Sequence, residues 1–155
     1  MDKLSALTIE RAKQSIGVRE EKPNWGKWVS VYLKFVNIFT PAPWCCAFVL
    51  YKVHQAAGEL KTKSILPKTG YVQGLYNWAE NRGYISNTPE AGKIFFVWSK
   101  ELKRYAHIGF VESVKGTRFV SIEGNSNSNG SREGREVCSN TRVYVPDHHK
   151  FMRII

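Results

Sequence analysis

The order of hydrophobic periods in this 155-residue chain predicts an α+β domain, with helices first and an antiparallel sheet second. Up to about residue 82, apolar residues recur at helical spacing. From residue 93 onward the apolar segments are short, β-branched or aromatic, and punctuated by turn signals. Length and composition agree: with 43% hydrophobic and 23% charged residues, the chain has the make-up of one globular domain, 1–155, long enough to bury a core without staples.

Leu4, Leu7/Thr8, Ala12 and Ile16 form the stripe of a first helix, which Gly17 stops. Asn24 is the expected cap of a second, in which Trp28, Val31/Tyr32 and Phe35 share a side. Thr40-Pro41-Ala42-Pro43 breaks the chain, and a third helix begins near Trp44-Cys45 and ends at Gly58. A fourth spans about Thr69 to Arg82, with Tyr71, Leu75 and Trp78/Ala79 on one side and Gly83 as its stop. Strands are expected at Lys93–Trp98, Ala106–Val114, Arg118–Glu123, Arg142–Val145 and Phe151–Ile155, with Lys115-Gly116-Thr117 as a hairpin turn. Gly124–Gly134 reads as a polar, glycine-rich loop.

The net charge is +10, divided +3, +4 and +3 over residues 1–40, 41–100 and 101–155, so no segment is a basic tail. Such a surface suits a polyanionic partner and equally serves plain solubility. The longest apolar run, Trp44–Tyr51, falls well short of the roughly 18 residues a membrane span needs. The N-terminal Met1-Asp2-Lys3-Leu4 shows no Sec signal. Cys45, Cys46 and Cys138 are odd in number, and two are adjacent without CxxC spacing, which excludes a disulfide framework. They are either inert packing cysteines or include a thiol with a task.

The Pro43-Trp44-Cys45 segment places Cys45 at or near a helix N-terminus, where free N–H groups and the helix dipole favour a thiolate. A buried packing cysteine satisfies the same segment. A cysteine nucleophile requires a histidine base and an orienting group. His54 sits too far along the third helix, and His148 and His149 lie in a polar stretch expected at the surface. His107 instead opens an apolar strand. If the hairpin loop is the three residues Lys115–Thr117, Val114 pairs with Arg118, and Gly109 and His107 fall opposite Glu123 and Asn125. His107, Glu123 and Asn125 then share a face, and Gly109 leaves room beside the histidine; a two-residue loop breaks this parity.

Together these segments resemble the CHAP-type cysteine amidohydrolases of the NlpC/P60, papain-like group, and most closely the short single-domain members. The likeness rests on Pro43-Trp44-Cys45-Cys46-Ala47-Phe48-Val49, His107-Ile108-Gly109-Phe110-Val111 and Ile122-Glu123-Gly124-Asn125. Gly17-Val18-Arg19-Glu20, Asn24-Trp25-Gly26 and Gly92–Phe96 also fit, so that it spans about residues 15–126. The resemblance implies a papain-like fold, with Cys45 as nucleophile, His107 as base and then acid, Glu123 as orienting carboxylate and Asn125 as an auxiliary polar group. It implies cleavage of a peptidoglycan amide, between muramic acid and L-alanine or within the peptide. Cys46 departs from the family's usual alanine. Trp44, Trp98 and Tyr105 are candidate substrate-binding aromatics, with Tyr71 beside them.

No cofactor is expected, and no metal: the only aspartates are Asp2 and Asp147, so no Asp-rich loop is present. The expected partner is bacterial peptidoglycan, with an immunity or delivery protein besides; no nucleic-acid partner is expected, and the chain is expected to be a monomer. Without a Sec signal it would be made in the cytoplasm and reach the wall or periplasm by a holin, a phage tail or a secretion system. Two other readings fit the residues: an amidase or transferase of the same fold on another amide, and a non-catalytic basic module binding cell wall or nucleic acid.

Overall fold

The Asp2 carboxylate accepts the backbone N–H of Ser5 at 2.8 Å, satisfying one of the free donors with which a helix begins. The computed structural model describes residues 1–126 and 134–155. Helix α1 (Lys3–Gln14) follows this cap, then α2 (Lys27–Phe35), α3 (Cys45–Glu59) and α4 (Val72–Glu80). The strands are β1 (Ile85–Ser86), β2 (Ile94–Ser99), β3 (Arg104–Lys115), β4 (Arg118–Ser126), β5 (Glu136–Val143) and β6 (His149–Met152). They form one antiparallel sheet in the order β1-β6-β2-β3-β4-β5. The chain is therefore α+β, with helices before strands, as its hydrophobic periods predict.

Helix α3 is the pivot. It is apolar on nearly every side, from Cys45, Cys46, Ala47 and Phe48 to Val53, Ala56 and Ala57, and all of these are buried. Helices α1 and α2 cover one side of it, and β3 and β4 take the other. Phe48 anchors it, edge-on to Tyr32 at 5.3 Å and to Phe110 at 6.1 Å. Truncating such a ring costs about 3–5 kcal/mol. Gly124 makes the close approach possible: a Cβ there would lie 2.8 Å from both Phe48 Cβ and Trp44 Cζ3. On its other face the sheet buries Phe95, Val111, Phe119 and Phe151 as a separate cluster.

Several elements depart from the sequence expectation. In α1 the buried side is Ser5, Thr8, Ile9 and Ala12, while Ile16 is exposed. Polar residues can face inward here because the Thr8 hydroxyl donates to the Leu4 carbonyl at 2.7 Å. Gly26, not Asn24, precedes α2; Asn24 is left-handed at φ 58°. The buried side of α2 is Val29, Tyr32 and Leu33, so Trp28 faces outward. Strand β1 was not anticipated, and β5 begins six residues before the expected Arg142. His149, expected at the surface, is buried in β6, edge-on to Phe119 at 5.4 Å, and its Nδ1 accepts the Val145 N–H at 3.0 Å. Most of the expected Gly124–Gly134 loop lies outside the described residues.

The β3–β4 turn contains two residues, with Lys115 paired to Arg118. Gly116 has φ 59°, the first-position conformation of a primed hairpin turn. That turn alone would put His107 and Glu123 on opposite faces. A bulge at Glu112 reverses the slip, so that Val111 pairs with Ser121 and Phe110 with Ile122. The bulged Glu112 carboxylate reaches back to Lys13 on α1 at 2.7 Å. The parity expected from a three-residue loop thus holds beyond the bulge, through two features that cancel.

Candidate active site

Two further bulges flank the residues of interest. Between β2 and β3, Val97 pairs with His107 and Trp98 with Tyr105, which leaves Ala106 as the extra residue just before the histidine. Between β4 and β5, Glu123 pairs with Cys138 and Ser126 with Glu136, so Gly124 and Asn125 oppose Val137 alone. Asn125 adopts φ 53°, a conformation asparagine tolerates better than most residues. Bulges re-aim side chains, and here they set the ends of the two strands that meet α3.

Cys45 is the first residue of α3. Trp44 precedes it without a side-chain capping bond, and the first intrahelical bond runs from Phe48 N–H to the Trp44 carbonyl at 2.9 Å. The N–H groups of the first turn therefore have no partner within the helix, and the positive end of the dipole lies at the Cys45 thiol. Cys46 turns the other way: it is fully buried, and its S–H donates to the Thr69 carbonyl at 3.3 Å. Burial, with Cys45 nearby, holds its thiol well above the usual range.

His107 is buried, and its Nε2–H donates to Glu123 Oε1 at 2.7 Å. That bond leaves Nδ1 as the nitrogen available for proton transfer. Nδ1 is buried and makes no hydrogen bond of ordinary geometry among the described residues, yet Cys45 is close enough to act on the ring's charge. Burial alone would lower the basicity of His107; the Cys45 thiol and the Glu123 carboxylate outweigh it and raise its pKa to about 9.

Glu123 is completely buried. Arg142 on β5 clasps it with two contacts, Nε to Oε2 and Nη2 to Oε1, each 2.7 Å. Ser126 Oγ donates to Oε1 at 3.2 Å, and Ser121 Oγ donates to Oε2. Burial opposes ionisation, but Arg142 and His107 prevail and hold the carboxyl far below the usual range. Gly109 leaves the space for this side chain: a Cβ there would lie 2.9 Å from Glu123 Cγ and 2.7 Å from Phe95 Cε1.

The structure thus gathers Cys45, His107 and Glu123 into one chain of contacts. Asn125 is buried beside them in the bulge, and it is Ser126 beyond it whose hydroxyl reaches Glu123. Ser121, Ser126 and Arg142 were not anticipated. Arg142 had a faint signal as a cation within an expected strand, but its register to β4 depends on a connection that sequence spacing does not fix.

The expected aromatic lining needs correction. Trp44 is wholly buried, stacked on Tyr32 at 6.0 Å, and its indole N–H donates to Glu20 at 2.9 Å. Glu20 is held there because residues 17–20 run along the edge of β5. Tyr105 is stacked on Tyr76 at 4.0 Å, and Trp98 packs edge-on to Tyr105 at 5.1 Å. None of the three lines the cleft beside Cys45. That cleft, of about 410 Å³, is bounded by Val36, Ile38, Pro43, residues 68–72, Arg104 and Ala106, and its aromatic is Tyr71. Among the described residues no three His, Cys, Asp or Glu side chains cluster as a metal site.

A histidine near a helix-terminal cysteine and bonded to a buried carboxylate, on an antiparallel sheet, is the arrangement a cysteine nucleophile would require. The chain matches the CHAP domain family over residues 37–125 and belongs to that family. Among solved structures it is similar to the crystal structure of Ly7917, with a TM-score of 0.57 and 15% identity over 97% of this chain and 62% of that one. The structure of Ly7917 with the hydrolyzing product of MDP aligns with a TM-score of 0.45 and 18% identity over 71% of this chain and 53% of that one. The chain therefore spans about 62% of the length of Ly7917, and the likeness bears on the fold, which is the papain-like one expected. No curated protein matches it.

Proposed function

We propose that the chain is a cysteine-dependent peptidoglycan amide hydrolase, cleaving either the N-acetylmuramoyl-L-alanine bond or a bond within the peptide. The observation that carries this reading is the placement of His107, with Nε2 bound to the buried Glu123 and Nδ1 left for Cys45, in a chain of the CHAP domain family.

In this reading each residue has a role that the geometry supports. Cys45 gives its proton to His107 Nδ1, and the thiolate attacks the amide carbonyl carbon to form a C–S bond. First-turn N–H groups of α3, that of Cys45 among them, meet the oxyanion. His107 passes its proton to the leaving nitrogen as the C–N bond breaks, leaving a thioester. It then takes a proton from water, whose oxygen attacks the thioester carbonyl; the acid product departs and Cys45 is restored. Glu123 stays ionised, fixes the tautomer and stabilises the imidazolium.

In this reading the +10 charge draws the protein toward an anionic wall, which it reaches by holin, phage tail or secretion system. The test is incubation of purified sacculi with the protein and with Cys45→Ala, followed by mass spectrometry of the soluble fragments. Fragments with a newly freed amine and carboxylate, absent with the variant, support the reading and identify the bond. Unchanged sacculi refute it.

A further inference from the structure

Among the described residues, the cleft beside Cys45 is charged in one sense only: Lys68 and Arg104 line it, and no Asp or Glu does. Neither cation has an ion-pair partner among the described residues, whereas Arg11, Lys13, Lys93 and Arg142 each pair with a carboxylate. Both are nevertheless held in place by rings. Lys68 Nζ lies 4.6 Å from the centroid of Phe35, and the Arg104 guanidinium lies 5.6 Å from that of Tyr71. Stacking against a ring orders a guanidinium while leaving its N–H edges open. One Arg104 N–H goes to the neighbouring Tyr105 carbonyl at 3.4 Å.

The position of each cation is also set by the fold. Arg104 opens β3, three residues before His107. Lys68 adjoins Thr69, whose carbonyl is tied to Cys46, the residue after the cysteine at the mouth of the cleft. Gly70 packs directly on Ile38, so that a Cβ there would meet Ile38 Cδ1 at 2.4 Å. A ligand whose amide reaches Cys45 therefore occupies a cleft that both cations line.

We infer that Lys68 and Arg104 bind a carboxylate of the substrate peptide, so that the protein selects an amide beside a free carboxylate over the same amide beside a carboxamide. The inference rests on the amide-hydrolase reading of this site. A carboxylate offers two acceptor oxygens to a planar fork with a second cation alongside, whereas a carboxamide offers one acceptor and turns an N–H₂ group toward positive charge.

The test uses two synthetic muropeptides, identical except that the side carboxylate of the stem peptide is free in one and a carboxamide in the other. The expected kcat/KM ratio is about tenfold in favour of the carboxylate, the scale of a charge-assisted bond in a half-open site. Arg104→Met should bring the ratio to within about twofold through KM, Lys68→Met should reduce it in part, and Arg104→Lys should keep part of it. Circular dichroism and thermal melts that match those of the native protein show that each variant is folded. Equal cleavage of both muropeptides by the native protein, or a preference that survives Arg104→Met, overturns the inference and leaves the hydrolase reading standing. Calorimetric binding of both compounds to Cys45→Ala separates the two claims. If neither compound is cleaved but the carboxylate binds more tightly, the hydrolase reading fails and the cleft assignment holds.

Discussion

Arg142 and Glu123 form a two-point clasp, with both nitrogen–oxygen contacts at 2.7 Å, and Glu123 meets His107 through an oxygen that Arg142 also holds. A carboxylate with no exposure to water needs such a partner, because an unpaired buried charge is among the costliest features a fold can carry. Arg142 is thus a positioning residue that keeps Glu123 ionised and aimed. Arg142→Met should destabilise the protein by about 3–5 kcal/mol. Where it still folds, the His107 titration should move upward, since a positive charge has left its surroundings. Arg142→Lys should restore charge but not the fork, and recover stability only in part. A His107 titration that is the same in the native protein and both variants, read by imidazole NMR, would contradict the role.

The pH dependence has a definite sign. His107 is raised from an ordinary 6.5 to about 9, so its contribution to stability is complete below about pH 6.5 and is lost as pH rises through about 9. Glu123 is depressed, so its contribution is present above about pH 4.5 and is lost as pH falls below that. Thermal melts should therefore weaken on both flanks, and the alkaline limb of kcat/KM should lie near pH 9 rather than 6.5. An imidazole that titrates at its ordinary value would refute the coupling.

Gly109→Ala should push Glu123 off His107. The added methyl meets Phe95 Cε1 at 2.7 Å and the Ile122 carbonyl at 2.9 Å, and backbone on one side leaves the carboxylate side chain to give way. A misplacement near 1 Å costs about a hundredfold in rate, and the overpacking about 1–3 kcal/mol. Comparison of kcat/KM with the melting temperature decides: full activity in a destabilised protein would show that the glycine serves packing alone.

The adjacent cysteines should separate cleanly. Cys46 is buried and bonded to Thr69, so Cys46→Ala should keep most activity and cost about 1–2 kcal/mol. Iodoacetamide should label Cys45 first, and His107→Ala should slow that labelling. Peptide mapping of the labelled site checks both, and first labelling at Cys46 would shift the nucleophile by one residue.

The fold class was legible in the sequence, and so were the local segments that meet at the candidate site; the packing that joins them was less so. Cysteine after Pro-Trp, histidine opening an apolar strand and Glu-Gly-Asn ending another are local signals, and α3 begins where they require. The shared face of His107 and Glu123 was expected from a three-residue loop but arises from a two-residue turn and the bulge at Glu112. That bulge is a register feature whose carboxylate reaches Lys13 on a distant helix, and no local spacing reveals it. The inward sides of α1 and α2 differ from the expected stripes for a related reason. Which of several helical faces turns inward depends on α3, and Trp28 carries no mark that it will face water. Arg142, Ser121 and Ser126 escaped notice because their task exists only once β4 and β5 are paired.

The account rests on Cys45 acting as the nucleophile on a peptidoglycan amide. The most direct measurement is mass spectrometry of sacculi fragments, set beside intact-protein mass spectrometry that seeks an acyl group on the enzyme. The prediction is that the native protein releases fragments with one newly exposed amine and one carboxylate, and that an acyl adduct, where trapped, maps to Cys45. Cys45→Ala should lower release by roughly a thousandfold or more. Undiminished release by Cys45→Ala, or no release by the native protein, would contradict it.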